Sequence, residues 1–235
     1  MVTSHPMNRF ALILPAAGSG TRFGAGDKLL VPLAGRSVLQ RSVALFADRD
    51  DIAQIVIPTA PDRFDAYREL LASCIVPGRL TFVPGGSERW QSVHNGLRAV
   101  HANIPFVAIH DAARPLTPRS VIDAAFQGAV ATGGSVPVVL EPATLKRIGP
   151  DEKVVATVDR RGLYQAQTPQ CFERARLLEA FEGLIAQNRL AGITDDAEVF
   201  ERMGWPVAAT PGCVTNLKIT TAEDTELARA ILALG

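Results

Sequence analysis

Two stretches of this 235-residue chain carry side chains suited to phosphate chemistry. LPAAGSGTRFGAGDK (14–28) combines glycines, which let backbone N–H groups approach a polyanion closely, with the positive charges of Arg22 and Lys28. It is a candidate nucleotide-phosphate loop. IHDAARP (109–115) carries Asp111 and Arg114, and a carboxylate set beside phosphate oxygens suits Mg²⁺, a small cation that favours octahedral oxygen ligands. Each stretch also has a plainer reading: a solvated glycine turn for the first, an Asp capping the next turn for the second. Two better-known loops do not fit the first stretch. A P-loop needs Gly-Lys followed by Ser or Thr, whereas Lys28 follows Asp27 and precedes Leu29. The dinucleotide fingerprint needs GxGxxG and an acidic residue ending the second strand; here the spacing is GxGxxxG and IVIP (55–58) runs into Thr59, which argues against an oxidoreductase.

The elements around these stretches determine where they stand. FALIL (10–14) is a short apolar run leading into the glycines, the pattern of a buried strand that ends at a loop. IAQIVI (52–57), LTFV (80–83), FVAIH (106–110) and SVPVVL (135–140) repeat the pattern, with helical spacing between them. A helix from Ser37 places Val38, Ser42, Leu45 and Phe46 along one side, with Ser37 positioned to cap its free N–H groups; 62–73, 88–102 and 118–131 behave alike. Such alternation implies an α/β fold with right-handed crossovers and a largely parallel sheet covered on both faces. Ligands of such sheets bind beyond the carboxyl ends of the strands, where both candidate stretches lie.

Residues 141–162 break the rhythm. ATLKRI and KVVATV flank the turn-forming GPDE and predict a β-hairpin that projects as an arm. A two-stranded hairpin is marginal in water, so the arm should pack on a second subunit or, alternatively, fold against its own domain. Helices near 174–189 and 195–203, a strand around 214–220 and a C-terminal helix complete an expected single domain over 1–235.

Composition narrows the function. Twenty-four basic residues balance twenty-four acidic ones, so no global field exists to hold nucleic acid or an anionic membrane, and phosphate binding must come from a local cluster. Cys74, Cys171 and Cys213 are scattered and lack metal-ligand spacing, which fits a reducing cytoplasm better than a disulfide framework or a zinc site. No window approaches the roughly 20 continuous apolar residues of a membrane span. His94 and His101 are not at the i, i+4 spacing of metal-binding pairs, and His110 is expected to pack on the far side of its strand from Asp111. Trp90, Trp205, Phe172 and Phe181 read as core or interface fillers, because no aromatic series interleaves with basic residues.

Taken in order, LPAAGSGTRFGAGDK, GGSERWQSV (85–93), HDAARP, TLKR (144–147), TVDRRGLYQAQTPQ (157–170), ITDDA (193–197) and NLKIT (216–220) resemble the 2-C-methyl-D-erythritol 4-phosphate cytidylyltransferases over nearly the whole chain. The resemblance implies a Rossmann-like, doubly wound fold and a homodimer that uses CTP, methylerythritol phosphate and Mg²⁺ in non-mevalonate isoprenoid synthesis. Arg22 and Lys28 match basic residues on the CTP phosphates, and Lys218 matches a second catalytic lysine near the α-phosphate. Ala16, Ala17, Gly18, Gly86 and Ser92 match nucleotide contacts, and Asp111 matches an aspartate associated with magnesium and substrate. Thr144 and Arg160, on the arm, match residues reaching the alcohol phosphate of the neighbouring subunit; Arg114, Thr168 and Thr194 match further substrate-side positions.

Two departures stand out. DKLL (27–30) replaces a Pro-Lys-Gln-aromatic pattern, and Ser87 stands where Asp is frequent. Asp27 is placed to compete for Lys28, and Ser87 to alter cytosine contacts. Two other readings compete with this one: a cytidylyltransferase for a different polyol phosphate, such as ribitol 5-phosphate, and a nucleotide-binding regulator without turnover.

Overall fold

The apolar run that precedes the glycines forms β1 (Phe10–Ile13), buried along its length, in a computed structural model that describes residues 9–18, 27–76 and 78–234. A tight hairpin of β2 (Pro32–Leu33) and β3 (Arg36–Ser37) turns through Ala34 and Gly35, both at positive φ. α1 (Val38–Ala47) starts at the expected cap: Gln40 N donates to Ser37 Oγ at 3.1 Å, and Ser37 N donates to Gln40 Oε1 at 2.9 Å. This reciprocal pair satisfies two of the donors that a helix start leaves free. The alternation continues through β4 (Ile52–Thr59), α2 (Phe64–Leu71), β5 (Leu80–Pro84), α3 (Arg89–Arg98), β6 (Phe106–Ile109), α4 (Arg119–Thr132) and β7 (Gly134–Leu140). After it come β8 (Lys146–Ile148), β9 (Val154–Thr157), β10 (Tyr164–Ala166), β11 (Gln170–Glu173), α5 (Arg174–Ala186), α6 (Ala197–Arg202), β12 (Ala208–Pro211) and α7 (Ala222–Ala233).

The main sheet runs β10-β7-β11-β6-β1-β4-β5, with β12 parallel to β7. Strands β6, β1, β4 and β5 are parallel neighbours, as the alternation predicts. Side chains of β1 alternate between two cores. Phe10 and Leu12 pack with Val43 and Phe46 of α1, Tyr67 of α2 and Phe126 of α4. Ala11 and Ile13 pack with Val93 and Leu97 of α3, Phe181 of α5 and Phe200 of α6. The period of two thus sends one strand's residues into two apolar layers and gives the doubly wound arrangement.

Two segments differ from expectation. β11 is antiparallel and lies between β6 and β7, a four-residue strand too short for its periodicity to register in the sequence. Residues 214–220 do not form a strand. NLKIT alternates as a strand would, but side-chain hydrogen bonds hold it in place of a ladder: Asn216 Nδ2 donates to Thr168 O at 2.9 Å, and Asn216 Oδ1 accepts from Thr117 Oγ1 at 2.8 Å. The last strand is instead β12.

The arm forms as predicted from β8 and β9, paired antiparallel with an irregularity between Arg147 and Ile148. Ile148, Val154 and Val155 are 54, 61 and 64% exposed, so the alternative in which the arm folds onto its own domain does not hold.

Candidate active site

Chain segments leaving β1, β5 and β6 meet at one edge of the sheet. Leaving β1, Leu14 N donates to Val56 O at 2.9 Å and Ala16 N to Pro58 O at 2.8 Å, which carries the ladder three residues past the strand. Beyond β5, Gly85 packs so closely on this turn that a Cβ would lie 2.2 Å from Ala17 Cβ; glycine is required there by approach, with no need for an unusual φ. Gly86 N donates to Ser92 Oγ at 3.0 Å, tying the glycine pair to the first turn of α3. A cleft of about 440 Å³ results, lined by Ala16, Ala17, Gly18, Gly86 and Ser92 together with Lys28, Arg89, Asp111 and Lys218.

The cations reach the cleft from distant segments. Asp27 caps the short turn Lys28–Leu30 by accepting from Leu29 N at 3.0 Å. Its carboxylate also receives the buried Tyr67 hydroxyl at 2.5 Å and Arg63 at 3.0 Å, so it turns towards α2 and braces the turn that carries Lys28. Lys28 Nζ donates to Ile219 O at 3.1 Å, which brings it beside the segment carrying Lys218. Ile219 N in turn donates to Ala113 O at 2.8 Å, fixing that segment against the turn after β6.

Asp111 is the hub. Its Oδ2 lies 2.9 Å from Lys218 Nζ and 3.3 Å from Arg114 Nε, and its Oδ1 lies 3.4 Å from Arg89 Nε. Burial alone would raise its pKa; the charges of Arg89, Lys218 and Arg114 outweigh burial and hold it well below the usual carboxylate range. One lysine and two arginines grouped around one carboxylate, with Lys28 lining the same cleft beside close-packed glycines and a helix start, suit a polyphosphate better than a neutral ligand.

Residues 10–234 match the IspD family, 2-C-methyl-D-erythritol 4-phosphate cytidylyltransferase. The chain belongs to this family. A curated member from Symbiobacterium thermophilum is 42% identical over 94% of this chain and 92% of its own length, and one from Prochlorococcus marinus is 37% identical over 95% and 98%. The crystal structure of the Thermus thermophilus cytidylyltransferase superposes with a TM-score of 0.77 at 30% identity, covering 96% of this chain and 99% of that one. A 4-diphosphocytidyl-2C-methyl-D-erythritol synthase from Anaerococcus prevotii superposes with a TM-score of 0.82 at 27% identity over the same shares. As a cytidylyltransferase of this family, the chain is a nucleotidyltransferase.

The remaining positions matched to this family fall into three groups. Thr168 and Arg114 adjoin Asp111: Asp111 N donates to Thr168 Oγ1 at 3.1 Å, and Arg114 Nη1 donates to Asn216 O at 2.7 Å. Thr144 and Arg160 are exposed on the arm side and do not line the cleft; Arg160 donates to Pro142 O. Thr194 is also exposed and outside the cleft lining, donating to Glu198 at 3.3 Å. Arg22 lies outside the described residues. Of the two departures, Asp27 serves the bracing role above, and Ser87 Oγ donates to Gln91 Oε1 at 2.7 Å at the start of α3.

His110 packs as expected, 5.1 Å from the Phe46 ring. The Arg114 carbonyl can only accept, so the His110 Nε2 lying 3.0 Å from it carries the proton. Nδ1 then accepts from Thr168 Oγ1 at 3.0 Å, which leaves that oxygen free to accept from Asp111 N. Burial pushes the His110 pKa down to about 4, in keeping with a neutral ring that sets Thr168 and the Asp111 backbone.

Arg89, Asp196 and Asn216 were not singled out from sequence. Arg89 lies within GGSERWQSV, Asp196 within ITDDA and Asn216 within NLKIT, and the motifs by themselves do not show which of their residues meet. Among the described residues no helix is long and apolar enough to cross a membrane.

Proposed function

We propose that the chain transfers CMP from CTP to 2-C-methyl-D-erythritol 4-phosphate and releases pyrophosphate, acting as a cytoplasmic homodimer in non-mevalonate isoprenoid precursor synthesis. The observation that carries this reading is the convergence of Lys28, Lys218 and Asp111 in one cleft. An acceptor phosphate oxygen attacks the α-phosphorus of CTP, the bond to the bridging oxygen of the β-phosphate breaks, and its electron pair leaves with pyrophosphate. A phosphate monoester is largely ionised at neutral pH, so no general base is needed. The barrier is the approach of two anions.

Lys28 and Lys218, with Arg22, lower that barrier by neutralising the triphosphate and the charge that develops in line with the leaving group. The close-packed turn at Ala16, Ala17, Gly18 and Gly86, with Ser92 behind it, orients the nucleotide. Arg114, Thr168 and Thr194 serve the acceptor side. Thr144 and Arg160 reach the acceptor phosphate of the neighbouring protomer, a role supported by the exposed apolar residues of the arm.

The donor set fits Mg²⁺. Among the described residues no group of three or more His, Cys, Asp or Glu could cage a metal, whereas Asp111 offers a single carboxylate in the cleft. That is the pattern of an ion held mainly by substrate phosphates. Asp111 would hold Mg²⁺, which when bound adds positive charge at the phosphates.

Incubation with CTP, Mg²⁺ and either methylerythritol phosphate or ribitol 5-phosphate, following pyrophosphate, tests the proposal. Turnover with methylerythritol phosphate is expected. Turnover of ribitol phosphate alone would replace the acceptor, and CTP binding without any product would make the chain a regulator.

A further inference from the structure

Asp111 holds more positive charge than a single carboxylate requires, and its three partners are not held alike. Arg114 has a second anchor in Asn216 O, at 2.7 Å. Arg89 has one in Asp196, whose Oδ2 accepts from Arg89 Nη2 at 2.7 Å. Lys218 is 40% exposed, and among the described residues its ammonium is paired only with Asp111. A triphosphate entering the cleft competes with Asp111 for the lysine, the one partner free to leave without abandoning a second anchor.

Asp196 is built into place. Its side chain is 1% exposed, and Gln170 Oε1 accepts from both Asp196 N and Ala197 N, at 2.9 and 2.8 Å. Gln170 is itself held by Asp195, which accepts from its Nε2 at 2.9 Å. A carboxylate so deeply buried is costly without a charged partner, and Arg89 supplies one across 107 residues of sequence. Arg89 meets the two carboxylates with donors set apart on one rigid plane, Nε facing Asp111 and Nη2 facing Asp196, a geometry that the single ammonium of a lysine does not reproduce.

We propose that Arg89 and Asp196 are positioning residues: the buried Asp196 carboxylate fixes Arg89, and Arg89 keeps Asp111 at the cleft while Lys218 transfers from Asp111 to the nucleotide phosphates. The inference rests on the cytidylyltransferase reading above. It assigns a role to the second aspartate of ITDDA, and it links α6, next to Thr194, to the carboxylate that would hold the metal.

The test uses the full chain bearing Asp196→Asn or Arg89→Lys. Calorimetry would measure CTP binding with and without Mg²⁺, and steady-state assays would give kcat, KM for CTP and the Mg²⁺ concentration for half-activation. Displacing Asp111 should cut the Mg²⁺-dependent gain in CTP affinity by about 10-fold, the lower end of what loss of a metal ligand's supporting partner costs. Half-activating Mg²⁺ should rise by a similar factor and kcat should fall, while metal-free CTP binding changes less than about 3-fold. Should Asp196→Asn fail to fold, Arg89→Lys, which keeps the charge and loses the fork, carries the same expectation. If both variants melt at lower temperature yet keep the Mg²⁺-dependent gain and kcat, the pair merely braces α3 to α6 and the proposal is overturned. Absence of pyrophosphate from the unsubstituted protein would count against the function, and the calorimetry would still decide the inference.

Discussion

The phosphate cleft and the β-arm are opposite solutions to placing charged side chains. In the cleft, Asp111 is buried and gathers cations from α3, from the turn after β6 and from the segment before α7, and the two arginines among them, Arg89 and Arg114, are anchored by further hydrogen bonds. On the arm, Ile148, Val154 and Val155 lie more than half exposed on a two-stranded ribbon, and Lys146 to Thr157, at 2.7 Å, is a cross-strand bond in solvent. Among the described residues, the lining of the cleft comes from one chain. The arm has apolar surface but no core of its own, and a two-stranded ribbon has little independent stability. On the function proposed above, the contrast would divide the reaction: nucleotide binding would belong to the chain alone, and acceptor binding would depend on what the arm meets.

The largest effect should come from the cleft. Lys218→Ala is expected to lower kcat about 100- to 1,000-fold, as for loss of a preorganised donor at a developing charge. Circular dichroism should stay unchanged, because Arg89 and Arg114 still neutralise Asp111. A comparable loss with Lys28→Ala, read by pyrophosphate release, would put both lysines at the same phosphates; full activity in either variant would remove that lysine from the neutralisation of the triphosphate.

Arg160→Ala should sharpen the division. Loss of one charged hydrogen bond to the acceptor phosphate is expected to reduce kcat/KM for methylerythritol phosphate by about 10- to 100-fold. CTP affinity by calorimetry should remain within about 3-fold, and equal weakening of both substrates would erase the distinction between the two regions.

Acid should act on the cleft before the arm. His110 is neutral and fully buried with a pKa near 4, below the ordinary histidine value, so between these values the unfolded chain binds more protons than the folded one. Its contribution to stability is complete above about pH 6.5 and is lost as pH falls through about 4, a change of up to roughly 3 kcal/mol. The melting temperature should therefore fall over this window, and His110→Gln should flatten the slope. A slope unchanged in the variant would remove His110 as its source.

The smallest effect is expected at the junction that braces Lys28. Asp27→Ala removes a cap worth about 1 kcal/mol and leaves Arg63 and Tyr67 without their carboxylate. A lower melting temperature and a CTP affinity weakened less than tenfold are expected. Tighter CTP binding would instead mean that Asp27 draws charge away from Lys28.

Much of this was legible in the residues themselves. Strand periodicity located β1, β4, β5, β6 and β7 within a residue or two, Ser37 announced its cap, and GPDE marked the arm's turn. The described ends of the glycine loop and HDAARP line one cleft at the sheet's edge. The failures have a common cause. NLKIT satisfied a local rule for a strand, yet the buried amide of Asn216 found better partners on Thr117 and Thr168.

Sequence alone determined the repeating strand-helix order, the loops that end at the ligand edge and the residue types available for phosphate chemistry, because these depend on neighbours a few positions apart. Only the tertiary structure decided that β11 enters the sheet antiparallel, that Asp27 turns to Tyr67 and Arg63, and that Arg89 spans Asp111 and Asp196. Ion pairing between remote segments carries no local signature. It is settled when topology brings the strand ends together and burial obliges each charge to find a partner.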